Sequence, residues 1–290
     1  MKSDISGQTR LAGVIANPIK HSLSPMIHNK AYEVKKIDAV YLAFEVEKEQ
    51  FNHALSSMLT LDMLGVNISM PYKKLAFDAC DEVSKEAELI GVVNTVIPQN
   101  GKLIGFNTDG IGFVESLKSQ QVSVADKRIM ILGAGGAAKA VICQCALEKA
   151  KEINVFKRNN TTYQQVAKEL EEIAKQTGTL IRLFDYKDKL KMNETIETSD
   201  IIINGTQVGM GNDKNLPVYT MNSITKKHVL VDLIYHPLET EFLIQGKKRG
   251  ALSINGLGML VYQAAHAFKL MTKKEMPVSK IEEMLIEQWQ

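Results

Sequence analysis

Long hydrophobic runs are absent from this chain. Its longest apolar stretches, such as Leu11–Ala16, fall far short of the roughly 20 residues a membrane helix needs. Charge of one sign is also lacking. The net charge is +2 and the lysines are spread along the chain, which excludes the basic blocks of a nucleic-acid or membrane-surface binder. Cysteine is scarce: Cys80, Cys143 and Cys145 form an odd set without metal-type spacing, predicting reduced thiols in a cytoplasmic protein. On one helix, Cys143 and Cys145 would face different ways. The histidines show no pair at ligand spacing with a third partner, so no metal is expected. No serine sits in a nucleophile elbow, which argues against acyl transfer. The polar opening Met1–Ser6 lacks the apolar core of a signal peptide. There is no internal repeat and no low-complexity linker.

What is present is a regular alternation of strand-like and helix-like segments, over a length of 290 residues that suits two domains. Leu11–Ala16 and Gly65–Met70 read as strands. Ser24-Pro25 reads as a helix start, with serine at the cap and proline at the first helical position. Phe51, Ala54, Leu55, Met58 and Leu59 recur at helical spacing. Asn100-Gly101, between Val92–Ile97 and Lys102–Phe106, is a hairpin turn signal. Further strands are expected at Arg128–Leu132, Ile153–Phe156, Ile181–Phe184, Ile201–Ile203, Val229–Leu233 and Ala251–Ile254. Two helices should close the chain, over Met259–Met271 and Val278–Glu287.

The strand at Arg128–Leu132 runs directly into Gly133-Ala134-Gly135-Gly136-Ala137-Ala138 and then a small-residue helix. This is the dinucleotide fingerprint in its proper βαβ context. Gly133 serves the tight turn, Gly135 lets the backbone approach a pyrophosphate, and Ala138 allows close helix packing. Backbone amides from Gly133 to Ala137 would meet the phosphates at a helix N-terminus. The next strand ends in Lys157-Arg158 with no acidic residue. An acid there would favour NAD and a base NADP, so both cofactors stay open, with the basic pair leaning to NADP.

Two further segments carry chemistry. Asn67–Lys73 places Lys73 just past a strand that ends in Pro71, where ligand crevices form in α/β sheets. Asn107-Thr108-Asp109-Gly110 offers a carboxylate at a glycine turn. A lysine and a carboxylate beside a nicotinamide site are what alcohol–ketone interconversion requires, because the hydroxyl proton must leave as the hydride does.

Taken in order, Asn17–Pro25, Asn67–Lys73, Gly91–Thr95, Asn107–Gly110, Gly133–Ala138, Asn204-Gly205-Thr206 and Asn255–Ala264 resemble the shikimate dehydrogenase family across nearly the whole chain. Tyr41–Val46, Ser69-Met70-Pro71 and Met259–Gln263 look like its quinate/shikimate branch. The resemblance implies an α/β protein with an N-terminal α/β substrate domain (1–110), a Rossmann-type dinucleotide-binding domain (111–250) across a cleft, and C-terminal helices (251–290) returning to the substrate domain. It implies NADP or NAD as cofactor and interconversion of shikimate and 3-dehydroshikimate, with quinate and 3-dehydroquinate as a second pair. The setting would be chorismate biosynthesis or quinate use. By the same resemblance Ser22 and Ser24 would bind the substrate carboxylate, while Ser69, Asn94 and Gln263 would contact ring hydroxyls or the carboxylate. Lys73 and Asp109 would be catalytic, and Tyr235 and Gly256 would lie at the cofactor. The family's usual threonine is Ser69 here, and Thr162 stands where NADP-type members carry a second base. A monomer or homodimer acting on a small molecule is expected. A catalytically silent dinucleotide-binding regulator and a folate-linked dehydrogenase are the alternative readings.

Overall fold

The computed structural model describes residues 5–288; residues 1–4 of the polar opening lie outside them. The chain divides into two compact units, Met1–Thr108 with Val261–Gln290, and Asp109–Leu260.

The first unit contains β1 (Arg10–Ala16), α1 (Ser24–Lys35), β2 (Ala39–Glu45), α2 (Phe51–Thr60), β3 (Gly65–Ile68), α3 (Lys73–Ala79), β4 (Glu82–Val83), α4 (Lys85–Ile90), β5 (Thr95–Gln99) and β6 (Lys102–Phe106). These strands form a 6-stranded sheet in the order β2-β1-β3-β5-β6-β4. β1 runs parallel to β2 and β3, whereas β5 is antiparallel to β3 and β6. β1 is buried without a break from Ala12 to Ala16, as a strand covered on both faces must be. α2 turns Phe51, Leu55 and Met58 into the core. Leu59, expected in the same stripe, is 38% exposed at its margin. Asn100 and Gly101 adopt φ of 52° and 75°, the paired positive values that a two-residue hairpin turn matching strand twist requires.

The second unit contains α5 (Asp109–Ser119), β7 (Arg128–Leu132), α6 (Gly136–Leu147), β8 (Glu152–Lys157), α7 (Tyr163–Thr177), β9 (Leu180–Asp185), α8 (Lys189–Thr198), β10 (Ile201–Asn204), β11 (Val229–Asp232), α9 (Glu241–Lys248) and β12 (Leu252–Ile254). Its 6-stranded sheet has the order β12-β11-β10-β7-β8-β9, with every pairing parallel. This is the doubly wound arrangement, with its order reversing between β7 and β10. α6 is packed nearly all round, so Cys143 and Cys145 are both fully buried despite their different directions. Burial holds the Cys145 thiol well above its ordinary pKa.

α10 (Leu257–Thr272) begins in the second unit and ends in the first, and α11 (Val278–Gln288) follows. The expectation that residues 251–290 return together therefore needs correction. β12 pairs in register with β11, and residues up to Leu260 belong to the second unit. Among the described residues no helix is long and apolar enough to cross a membrane.

Candidate active site

In the first sheet the strand order reverses at β1, with β2 on one side and β3 on the other. Crevices for ligands open beyond the carboxyl ends of strands at such a point. Ser22 and Ser24 follow β1, and Ser69 and Lys73 follow β3. The antiparallel β5 begins at this same end, with Asn67 paired to Thr95, and β6 finishes here. Backbone bonds tie the connections together. Ser69 N–H donates to Ile15 O at 3.0 Å, Ile68 N–H to Asn94 O at 2.8 Å, and Asn94 N–H to Phe106 O at 2.9 Å. Residues far apart in sequence are thus gathered at one end of one sheet.

Lys73 is half-buried and opens α3, whereas its neighbour Lys74 is exposed and paired with Asp78. The Lys73 carbonyl accepts the Val93 N–H at 3.0 Å. The adjacent Asn94 is buried, and its Oδ1 accepts the Thr108 N–H at 2.8 Å. Asp109 comes next in the chain. It is 8% exposed and is the first residue of α5, not an isolated turn residue. Ser24 differs from the expected cap: it is the first residue of α1, Leu23 holds the cap position, and no side chain caps the helix. The Ser22 Oγ accepts the Ser24 N–H at 3.2 Å. Gln263 lies half-buried on α10.

Sequence reasoning assigned no role to Tyr41, Thr95 or the side chain of Asn67. The structure buries all three beside Asn94, with the Tyr41 hydroxyl donating to Asn67 Oδ1 at 2.7 Å. The available signal was a run of short polar residues inside otherwise apolar strands, since a buried polar group must find a partner.

In the second unit Gly133 adopts φ of 93°, and a Cβ there would lie 2.9 Å from Gly205 O, so only glycine fits. Gly135 caps α6, and Gly135, Gly136 and Ala137 are exposed. A Cβ at Gly135 or Gly136 would meet nothing within 4 Å. This open cradle of backbone amides at the start of a 12-residue helix fits a dinucleotide pyrophosphate. Facing it across the switch point, Asn204 is fully buried and braces the Gly205-Thr206 turn, accepting from Thr206 N–H at 3.1 Å and donating to Asp232 Oδ1 at 3.1 Å. Asp232 is fully buried too, and burial raises its pKa from the ordinary value.

The basic pair at the end of β8 splits. Arg158 is exposed, but Lys157 is only 9% exposed. Lys157 Nζ donates to Asn160 Oδ1 at 2.5 Å and to Arg158 O at 3.2 Å, bracing its own turn. Burial, and then the neighbouring Arg158 charge, lower its pKa. Tyr235 is 38% exposed in the connection after β11. Gly256 sits where a Cβ would come 2.3 Å from Leu233 O, so packing at that strand end by itself demands glycine.

Three family models match the chain. The shikimate dehydrogenase substrate binding domain covers residues 14–96, shikimate/quinate 5-dehydrogenase covers 115–235, and the shikimate 5'-dehydrogenase C-terminal domain covers 256–286. Shikimate dehydrogenase (NADP(+)) from Lactococcus lactis subsp. cremoris is 46% identical over 277 residues, spanning 96% of each chain. A crystal structure of shikimate 5-dehydrogenase from Listeria monocytogenes, in complex with shikimate and NAD, superposes with a TM-score of 0.95. It is 38% identical and covers 98% of this chain and 99% of that one. Quinate dehydrogenase from Corynebacterium glutamicum, in complex with NAD, gives a TM-score of 0.87 at 26% identity over 96% of this chain and 99% of that one.

Proposed function

The chain belongs to the shikimate dehydrogenase family, and on that premise we propose that it interconverts shikimate and 3-dehydroshikimate, using NADP or NAD. One observation carries the catalytic assignment. Consecutive residues Val93 and Asn94 anchor the backbone at Lys73 and at the residue before Asp109: Val93 N–H bonds the Lys73 carbonyl, and Asn94 Oδ1 accepts the Thr108 N–H. A shared anchor of this kind suits two groups that must act on one proton.

Oxidation of a secondary alcohol removes the hydroxyl proton as well as the carbon-bound hydrogen. Lys73 Nζ takes that proton and returns it in the reverse direction, and Asp109 keeps the ammonium oriented. Ser22 and Ser24 bind the substrate carboxylate. Ser69, Asn94 and Gln263 take ring hydroxyls or the carboxylate, since amides and hydroxyls offer both donors and acceptors. The amides of Gly133–Ala137 hold the pyrophosphate, with Arg158, Tyr235 and Gly256 along the rest of the dinucleotide. The nicotinamide, when bound, supplies the two-electron exchange at the ring carbon.

Ser69 supports quinate as a second substrate. It retains the hydroxyl of the family's usual threonine and lacks the methyl, leaving room beside a bulkier ring. A methyl's worth of space sets a preference of about 1–3 kcal/mol and not an absolute choice. Assaying shikimate and quinate against NADP and NAD tests the whole reading. We expect shikimate oxidation with at least one cofactor and slower quinate oxidation. No reduction of either cofactor by shikimate would overturn the proposal.

A further inference from the structure

A run of hydrogen-bonded, buried side chains crosses the site end of the first sheet. It starts at Tyr41, fully buried on β2 with His28 stacked on its ring at 4.3 Å between centroids. Burial holds the Tyr41 pKa well above its ordinary value, so the phenol keeps its proton. That proton goes to Asn67 Oδ1 at 2.7 Å. Asn67 Nδ2 then donates to Thr95 Oγ1 at 3.0 Å and to Asn94 O at 3.3 Å. The Thr95 hydroxyl donates to Asn94 Oδ1 at 3.0 Å. Asn94 Oδ1 also accepts the Thr108 N–H at 2.8 Å, and Asn94 Nδ2 donates to Thr108 Oγ1 at 3.0 Å. Thr95 is fully buried, Thr108 is 2% exposed, Asn94 3% and Asn67 8%, so water offers no easy substitute for a lost link.

The polarity of the run is fixed by its ends. The Thr108 N–H is a backbone donor and can only face an oxygen, which sets the Asn94 amide with Oδ1 toward Thr108 and Thr95. Thr95 must then spend its proton on Asn94 and receive one from Asn67, whose own oxygen is left facing the Tyr41 hydroxyl. Rotating the Asn94 amide by half a turn would set its NH2 against the Thr108 N–H and take from the Thr95 hydroxyl the oxygen that accepts its proton. Removing any upstream link takes away part of what forbids that rotation.

We propose that Thr95, with Asn67 and Tyr41 behind it, is a positioning residue that holds the Asn94 amide in one orientation toward the substrate and so determines how the ring hydroxyl is presented for reaction. This rests on the shikimate dehydrogenase reading, in which Asn94 touches the substrate. Thr95 itself acts only through Asn94.

The test is a double-mutant cycle on the full-length chain. Thr95→Val keeps the shape and deletes the hydroxyl, Thr95→Ser keeps the hydroxyl, and Asn94→Ala removes the group being positioned. Thr95→Val should lower kcat/KM for shikimate at least tenfold, whereas Thr95→Ser should stay within threefold of the parent. Shikimate affinity, measured by calorimetry, should fall with Thr95→Val and recover with Thr95→Ser. In the Asn94→Ala background, Thr95→Val should add less than a threefold further loss, because nothing is left to position. Losses that multiply, or a Thr95→Val enzyme within threefold of the parent, would overturn the inference while leaving the family reading intact. A parent enzyme inactive on shikimate would instead remove the reading on which it rests. If Thr95→Val fails to fold, Thr95→Ala in the same two backgrounds carries the test, with the same non-additivity expected and additive losses again overturning it.

Discussion

At the scale of single residues, the chemistry proposed above falls on Lys73. Lys73→Ala should lower turnover about a hundredfold or more while shikimate still binds, as expected when an acid–base group is lost. Turnover within a few-fold of the parent would remove Lys73 from the mechanism. Asp109→Asn should act in the same direction, and the double variant should lose far less than the product of the two. A second residue tests burial instead of chemistry. His28 is 1% exposed, and desolvation lowers its pKa to about 3. Its Nδ1 has no hydrogen-bond partner. The unfolded chain binds this proton near pH 6.5 and the folded chain only near 3, so the unfolded state is favoured as pH falls through that window. The neutral imidazole's contribution is complete above about pH 6.5 and shrinks by up to about 1.4 kcal/mol per pH unit below it. Urea unfolding of His28→Phe should therefore show about 2 kcal/mol less loss of stability than the parent between pH 7.5 and pH 5. Equal pH slopes would mean that His28 is not the titrating group.

Elements show what could be read in the sequence and what could not. The parallel strands of the second sheet were legible because strands buried on both faces read as continuous apolar runs, as in Ile129–Leu132 and Ile201–Ile203. The Asn100-Gly101 hairpin was legible from turn chemistry. β2 was harder, since Leu42 and Ala43 face solvent and blur its alternation. α3 is 7 residues long, follows Pro71 closely and has no capping side chain, so none of the usual start signals marks it. Motif order singled out Lys73, Asn94 and Asp109 as candidates. It could not find the bonds linking Tyr41 to Asn67 and Thr95, because cross-strand register is a tertiary property. The same limit applies at the end of β8. Sequence placed Lys157 and Arg158 together, but the last residue of a strand and the one after it point to different sides, and only Arg158 is exposed. Arg158→Ala should weaken NADP binding by about 1.5–3 kcal/mol, the scale of hydrogen bonds to charged groups, with a smaller loss for NAD. Lys157→Ala should instead lower the melting temperature by freeing the Asn160 turn. Equal losses of NADP and NAD affinity in fluorescence titrations of Arg158→Ala would exclude that side chain as a reader of the ribose phosphate.

At the scale of the whole molecule, a ligand that binds only the native state raises the unfolding midpoint by mass action. NADP at a hundred times its dissociation constant should stabilise the chain by about 2.7 kcal/mol, read as a rise in melting temperature. An unchanged midpoint at millimolar NADP and NAD would count against a dinucleotide site. The division of the chain also bears on its manufacture. The first unit takes its strands from the start of the polypeptide and its closing helices from the end, with Phe268 of α10 packed 5.5 Å from the Tyr32 ring of α1. Chains are made from the N-terminus, and domains fold as units once their residues are available. On the ribosome, the second unit is complete while α1 still lacks its cover. Tyr32, buried in the finished protein against Phe268, must wait for α10 to leave the exit tunnel. A message cut short before that point yields a finished insert attached to a sheet whose α1 lacks its C-terminal cover, and that adhesive face is where chaperones would be needed.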